Sequence, residues 1–202
     1  MRDASEALIV VDVQNDFCPN GALAVPRGDE VIEGINALMA EFPHVIFTQD
    51  WHPAGHSSFA SSHEGAEAFG LIEMPYGQQV LWPDHCVQET AGAEFHPQLQ
   101  RAEHLVLRKG QNPAVDSYSA FFENDRKTPT GLQNYLDQRG ITQLTLVGLA
   151  YDFCVAYSAL DAAKLGFKVS VRRDLCRAID LNGSAEEASA QMLGAGVVIL
   201  DA

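Results

Sequence analysis

The stretch Leu144-Thr-Leu-Val-Gly148-Leu-Ala-Tyr-Asp-Phe-Cys154-Val-Ala-Tyr-Ser158 reads as a buried strand that turns directly into a helix. The apolar run from Leu144 to Leu149 has the continuity of a strand covered on both faces. It breaks at Gly148–Ala150, and Asp152–Leu165 then follows helical spacing, with Asp152 expected as the N-cap and Gly166 as the residue that ends the helix. Cys154 therefore falls in the first turn of a helix at the end of a strand. Unpaired N–H groups and the positive end of the helix dipole favour a thiolate there, which predicts a thiol pKa below the reference of about 8.5. A packed, inert thiol is the commoner fate of an intracellular cysteine, so the partners decide.

The rest of the chain repeats this strand-then-polar pattern. Ala7-Leu-Ile-Val-Val-Asp12-Val is a continuous apolar run that meets a carboxylate, followed by the loop formers Gln14 to Gly21. Val31, Ile35, Leu38 and Met39 recur at helical spacing, which predicts a helix over 28–40. Val45–Asp50 is a second strand ending in a carboxylate, and Leu105–Gly110 a third carrying Lys109 at its end. A helix over 131–139, a fourth strand over 142–147, the Cys154 helix, a fifth strand over 168–171, a helix over 185–193 and a last strand over 197–200 complete the series. Strands alternating with helices predict an α/β fold, a doubly wound parallel sheet with helices on both faces. Ligands in such sheets bind at the carboxyl ends of the strands, where Asp12, Asp50, Lys109 and the Gly148–Cys154 turn all fall.

The 202 residues suffice for one well-buried domain, expected over 1–202 with no linker or internal repeat. A formal charge of -14 argues against nucleic acid and anionic membrane surfaces as partners, and leaves room for a neutral small molecule. No apolar run has the length of a membrane span, and Met1-Arg-Asp-Ala-Ser-Glu lacks the layout of a signal peptide. The cysteines Cys18, Cys86, Cys154 and Cys176 form no CxxC pair, so free thiols in the cytoplasm are expected, the first two and Cys176 as packing groups. His44, His63, His96 and His104 read as surface or turn residues.

Two constellations carry chemistry. A cysteine nucleophile needs a base for its proton and a charge to hold the resulting ions together, roles open to Asp12 and Lys109. Asp50-Trp-His52 places a carboxylate and an imidazole on one side of extended backbone, with His56 and His85 in the same long irregular stretch, 51–103. One carboxylate with two imidazoles suits a divalent transition metal.

Five segments carry a resemblance: Val11-Asp-Val-Gln-Asn-Asp-Phe17, Gln49-Asp-Trp-His-Pro53, Trp82-Pro-Asp-His-Cys86, Lys109-Gly-Gln-Asn-Pro-Ala-Val-Asp-Ser-Tyr-Ser-Ala-Phe121 and Gly148-Leu-Ala-Tyr-Asp-Phe-Cys-Val155. In order and content the chain resembles the bacterial nicotinamidase/pyrazinamidase group of the isochorismatase-like cysteine hydrolase superfamily. The resemblance implies a six-stranded parallel sheet and an Asp12–Lys109–Cys154 triad. It also implies a metal held by Asp50, His52 and His85 in the 51–103 loop region, zinc first, with iron or manganese as alternatives. His56 occupies a position that serves as a ligand in some relatives. A cis peptide between Leu149 and Ala150, with the N–H groups of Ala150 and Cys154 forming an oxyanion hole, is implied as well. Phe17, Trp82, Tyr118 and Leu149 match positions lining the substrate pocket, and residue 153 is Phe where many relatives carry His or Tyr. The activity implied is a cytoplasmic cysteine amidohydrolase of pyridine nucleotide (NAD) salvage, converting nicotinamide to nicotinate and ammonia through a thioester and accepting pyrazinamide. A homo-oligomer is an open alternative to a monomer. An isochorismatase-type enzyme on the same scaffold needs no thiol and no metal loop, and a silent binding module has no use for an intact triad.

Overall fold

Residues 2–101 and 103–201 are described by the computed structural model; the ends of the domain expected over 1–202, and position 102 in the 51–103 region, lie outside it. The strands are β1 (Glu6–Val11), β2 (His44–Asp50), β3 (Leu71–Met74), β4 (Gly77–Val80), β5 (Leu105–Lys109), β6 (Gln143–Leu149), β7 (Lys168–Arg177) and β8 (Val198–Leu200). The α-helices are α1 (Ile32–Met39), α2 (Leu132–Asp137), α3 (Ala156–Lys164) and α4 (Ser184–Gly194). Six strands form one sheet in the order β5-β2-β1-β6-β7-β8, and every neighbouring pair runs parallel. The all-apolar centre explains the arrangement. Ala7 to Val11 of β1 and Leu144, Leu146, Val147 and Leu149 of β6 are all buried, because helices or loops cover both faces.

From β1 the chain moves outward to β2 and β5, then returns to β6 and moves the other way to β7 and β8. With right-handed crossovers, α1 lies on one face and α3 and α4 on the other. The reversal falls between β1 and β6, which makes the gap beyond their carboxyl ends the crevice of the fold. Asp12 follows β1 and the Cys154 turn follows β6, so the topology itself delivers both to that crevice. Asp50 and Lys109 end β2 and β5 and are register partners.

Three elements differ from the sequence expectation. The 51–103 stretch contains an antiparallel hairpin, β3–β4, turning through Pro75 and Tyr76. Strand β3 alternates exposed and half-buried positions, β4 buries only the polar Gln79, and neither shows an apolar period. Strand β7 runs on from Val171 to Arg177 past a register shift, and the charged Arg172-Arg-Asp174 hides that extension from a hydrophobic pattern. The helix after β6 begins as a π-helical turn, Tyr151–Val155, before becoming α3. Asp152 makes no capping hydrogen bond there, contrary to its expected N-cap role; its carboxylate is held by another segment, described below. The Leu149–Ala150 peptide is cis, and Gly166 has the positive φ of a helix-ending residue (+93°).

Gly148 deserves its place for a steric reason. Its φ is +115°, and a Cβ there would run into the backbone of Val11 on the neighbouring strand. Since that backbone belongs to the centre of the sheet, it cannot yield cheaply. Gly148→Ala is expected to destabilise the protein by roughly 2 kcal/mol or more. Urea unfolding followed by circular dichroism checks this, as a lower midpoint at unchanged m-value.

Candidate active site

Lys109 is the hub of the crevice. Its side chain is wholly buried, and its Nζ donates to Asp50 Oδ1 (2.5 Å), the Ser117 carbonyl (2.9 Å) and Cys154 Sγ (3.4 Å). Those are the three donors of an ammonium. Asp12 Oδ2 lies 2.8 Å from the same nitrogen as an ion pair but is left with no hydrogen-bond partner. The other oxygen, Asp12 Oδ1, accepts the Thr48 hydroxyl at 2.6 Å. Oxygens of Asp12 and Asp50 and the sulfur of Cys154 all lie within 4.8 Å of one another. The expected Asp12, Lys109 and Cys154 are thus brought together around one charge. The free oxygen of Asp12 is the available acceptor for the thiol proton.

The electrostatics follow from burial. Desolvation draws Lys109 down, but Asp12 and then Asp50 outweigh it and keep its pKa well above the usual lysine value. Asp50 feels the same burial, yet Lys109 and His52 hold it below the usual carboxylate range. Asp12 is pushed up by burial beyond what Lys109 compensates. Burial also pushes the Cys154 thiol well up, against the pull of Lys109 and with Asp12 adding to the rise. This corrects the expected low pKa at the helix start. Desolvation and the neighbouring carboxylates work against the dipole of one turn and favour the neutral thiol.

A second group of side chains converges beside this one. Asp50 Oδ2, the oxygen not used by Lys109, lies 3.7 Å from His52 Nε2 and 3.9 Å from His85 Nε2. His52 Nδ1 is 3.0 Å from the Gly110 carbonyl and His85 Nδ1 is 2.8 Å from the Pro83 carbonyl. Carbonyls only accept, so each Nδ1 is inferred to carry the proton and each Nε2 lone pair faces the common point. Two lone pairs and one carboxylate oxygen fit a divalent cation. The residues meet because the backbone of His52 bonds that of Cys86 and Gln88, lacing the two ends of the loop together. Gly110 at φ +69° allows this, since a Cβ there would strike the His52 imidazole. His56 is different: its Nδ1 accepts the Ser58 N–H (3.1 Å) and its Nε2 meets the Asn112 carbonyl (2.8 Å), and it belongs to a second cluster, with His52 and Asp116, whose donor atoms lie within 4.8 Å of one another.

Between the two groups opens a slot lined by Phe17, Leu23, Asp50, Trp82, His85, Asp116, Tyr118, Ala150, Phe153, Cys154 and Ile179. Trp82 and Phe153 meet edge to face at 4.9 Å, and Tyr118 stands edge-on to Phe153 at 5.7 Å. These planar walls suit a flat ring. Phe17, Trp82 and Tyr118, expected at the substrate pocket, line this slot, and so does Ala150. Leu149 does not: it is fully buried and its side chain packs against Gly28, because alternate residues of β6 face opposite sides of the sheet.

Sequence reasoning left several participants without a role. Gln14 grips Asp50 at both backbone atoms, its Nε2 to the carbonyl and its Oε1 to the N–H, each at 2.8 Å. Thr48 shares a strand face with Asp50 at i, i+2 and holds Asp12. Asp116 takes Gln79 Nε2 at 2.9 Å, through which the hairpin reaches the slot. Gln14 and Asp116 lie inside the quoted motifs, and the strand period was the available signal for Thr48. The other thiols behave as packing groups: burial raises Cys18 to about 11, Cys176 to about 12, and Cys86 well above the usual value.

The profile of the Isochorismatase domain matches residues 6–202. The nicotinamidase of Acinetobacter baylyi is 54% identical over 199 residues, covering 98% of this chain and 93% of the relative. A solved nicotinamidase/pyrazinamidase of Acinetobacter baumanii superposes with a TM-score of 0.98 at 52% identity, covering 100% of this chain and 98% of the other. The pyrazinamidase of Pyrococcus horikoshii, solved in complex with zinc, gives 0.79 at 34% identity, covering 98% and 99%.

Lys109→Met tests the hub. It leaves two buried carboxylates unpaired, and is expected to cost about 3–5 kcal/mol in metal-free protein near neutral pH. With Lys109 present, the depressed Asp50 contributes stability above its unfolded pKa, which is lost as pH falls below about 4. Without it the folded carboxyls titrate above their unfolded values, so the variant gains stability on acidification. Urea midpoints of the two proteins should converge between pH 7.5 and 5.

Proposed function

The chain belongs to the isochorismatase domain family, and on that premise we propose that it is a nicotinamidase that hydrolyses nicotinamide to nicotinate and ammonia and also accepts pyrazinamide. The observation that carries this reading is Lys109 Nζ, 2.5 Å from Asp50 Oδ1 and 3.4 Å from Cys154 Sγ, which joins a nucleophile to a cation-binding group across an aromatic slot.

With the ring between Trp82, Phe153 and Tyr118, the carboxamide carbon comes to Cys154. The thiol proton passes to Asp12 Oδ2 as sulfur attacks, so a buried thiolate need never stand free; Lys109 holds the charges together. The N–H groups of Ala150 and Cys154 stabilise the oxyanion. Asp12 then gives its proton to the departing nitrogen, and ammonia leaves a thioester. A water that loses its proton to Asp12 opens the thioester, nicotinate departs and the thiol is restored.

Asp50, His52 and His85 would hold the metal, zinc by the nature of this ligand set and by the relative solved with it, iron or manganese being the alternatives. When bound, it supplies a coordination position for the pyridine nitrogen and so fixes the ring. The same reading gives the enzyme a place in pyridine nucleotide salvage in the cytoplasm; among the described residues no helix is long and apolar enough to cross a membrane.

Ammonia release from nicotinamide by purified protein is the deciding assay, and no release would sink the proposal. Cys154→Ala is expected to lower turnover to below about one thousandth of wild type with the fold retained by circular dichroism. Chelation should strongly reduce nicotinamide hydrolysis, because orientation is worth several kcal/mol of barrier. Alkylation of Cys154 by iodoacetamide, measured on the same stripped sample, should keep its rate. Hydrolysis persisting without metal would overturn the assignment of Asp50, His52 and His85.

A further inference from the structure

Asp152 sits in the π-helical turn two residues before the nucleophile, is 4% exposed, and has no cationic partner among the described residues. Its carboxylate faces the segment between β7 and α4. Oδ1 accepts the Ile179 N–H at 3.0 Å, and Oδ2 accepts the Asp180 N–H at 2.7 Å and the Ser184 hydroxyl at 2.5 Å. Two successive backbone N–H groups and a hydroxyl donating to one carboxylate make a strong, directional clamp. The clamped segment is otherwise an irregular strap. Asp180, Asn182 and Gly183 all have positive φ (58°, 54° and 87°), and only the short turn Leu181–Gly183 has regular form. One strap residue, Ile179, reaches the slot and forms part of its lining with Phe153 and Cys154.

We propose that Asp152 is a positioning residue that sets the width of the ring-binding slot: by clamping the strap to the nucleophile turn, it holds Ile179 against the bound ring opposite the aromatic walls. The proposal rests on the reading of the slot as the nicotinamide site. Ile179 and Leu23 are the branched aliphatic side chains lining a slot whose larger apolar walls are aromatic, and Ile179 is held through its own backbone N–H rather than by a strand. Its position is therefore set by the clamp. Ordinary helix capping does not account for Asp152, since it caps nothing in its own helix. Asparagine at 152 preserves the shape but presents only one acceptor oxygen, and its amide group would oppose a donor of the strap.

The test compares wild type, Asp152→Asn and Ser184→Ala, the last lying outside the nucleophile turn. Kinetics are read with nicotinamide and with 5-methylnicotinamide, whose ring is wider by a methyl group. In Asp152→Asn, KM for nicotinamide is expected to rise about tenfold with kcat within about threefold, the loss of one strong hydrogen bond. The ratio of kcat/KM for the methylated over the plain amide should rise at least about fivefold, and Ser184→Ala should move both values the same way by less. A merely structural role would lower the amount of active enzyme and leave the ratio alone. Hydrogen exchange reads the clamp independently of turnover: the amides of Ile179 and Asp180 should exchange at least about tenfold faster in Asp152→Asn, with those of α3 unchanged. Wild type inert on nicotinamide overturns the functional reading and the slot on which this inference rests. An active wild type with an unchanged substrate ratio, or unchanged strap exchange, overturns the inference alone.

Discussion

A single buried ammonium holds this crevice together. Asp12 and Asp50 end adjacent strands of a parallel sheet, and oxygens of both lie within 4.8 Å of one sulfur. Two carboxylates so close in a dry site would repel each other and take up protons. Lys109, register partner of Asp50 on the edge strand, is 2.8 Å from one and 2.5 Å from the other. Its positive charge lets both stay close together, which the proposed roles of Asp12 as base and Asp50 as cation ligand require. The carboxylates in turn keep the lysine charged despite its burial.

The supporting groups divide the oxygens among different tasks. Thr48 occupies one oxygen of Asp12 and leaves the other for a proton. Lys109 occupies one oxygen of Asp50 and leaves the other toward His52 and His85. Gln14 fixes the Asp50 backbone, and the Gly110 and Pro83 carbonyls fix the two imidazoles. Each partner removes an alternative hydrogen bond that would otherwise turn a reactive atom away. The lone pairs left over converge, which is the physical meaning of preorganisation here.

The resting state of the sulfur follows from the same burial. A helix start lowers a thiol pKa when the group is partly exposed and faces cations. Here the turn is buried, wide and shared with two carboxylates, so the neutral thiol is favoured. In the proposed reaction proton transfer to Asp12 accompanies attack, and the same low-dielectric slot that opposes a free thiolate would strengthen hydrogen bonds to an oxyanion.

By itself the sequence determined the parallel α/β sheet, its strand ends and the identity of the reactive groups. Short continuous apolar runs alternating with helical patterns read as strands covered on both faces, and a polar residue closing such a run emerges at one rim. Asp12, Asp50, Lys109 and Cys154 were legible for that reason, and His52 and His85 through the motifs around them. What only the tertiary structure decided depends on atoms brought together from distant positions. The division of carboxylate oxygens, the contact of His56 with Asn112, the side of the sheet that Leu149 faces and the thiol's pKa all turn on neighbours many residues away. Hairpin β3–β4 and the charged end of β7 were hidden because their residues lack an apolar period and are ordered by partners elsewhere. Asp152 looked like a cap because local sequence offers it only its own helix; the fold offers it the N–H groups of Ile179 and Asp180 and the hydroxyl of Ser184.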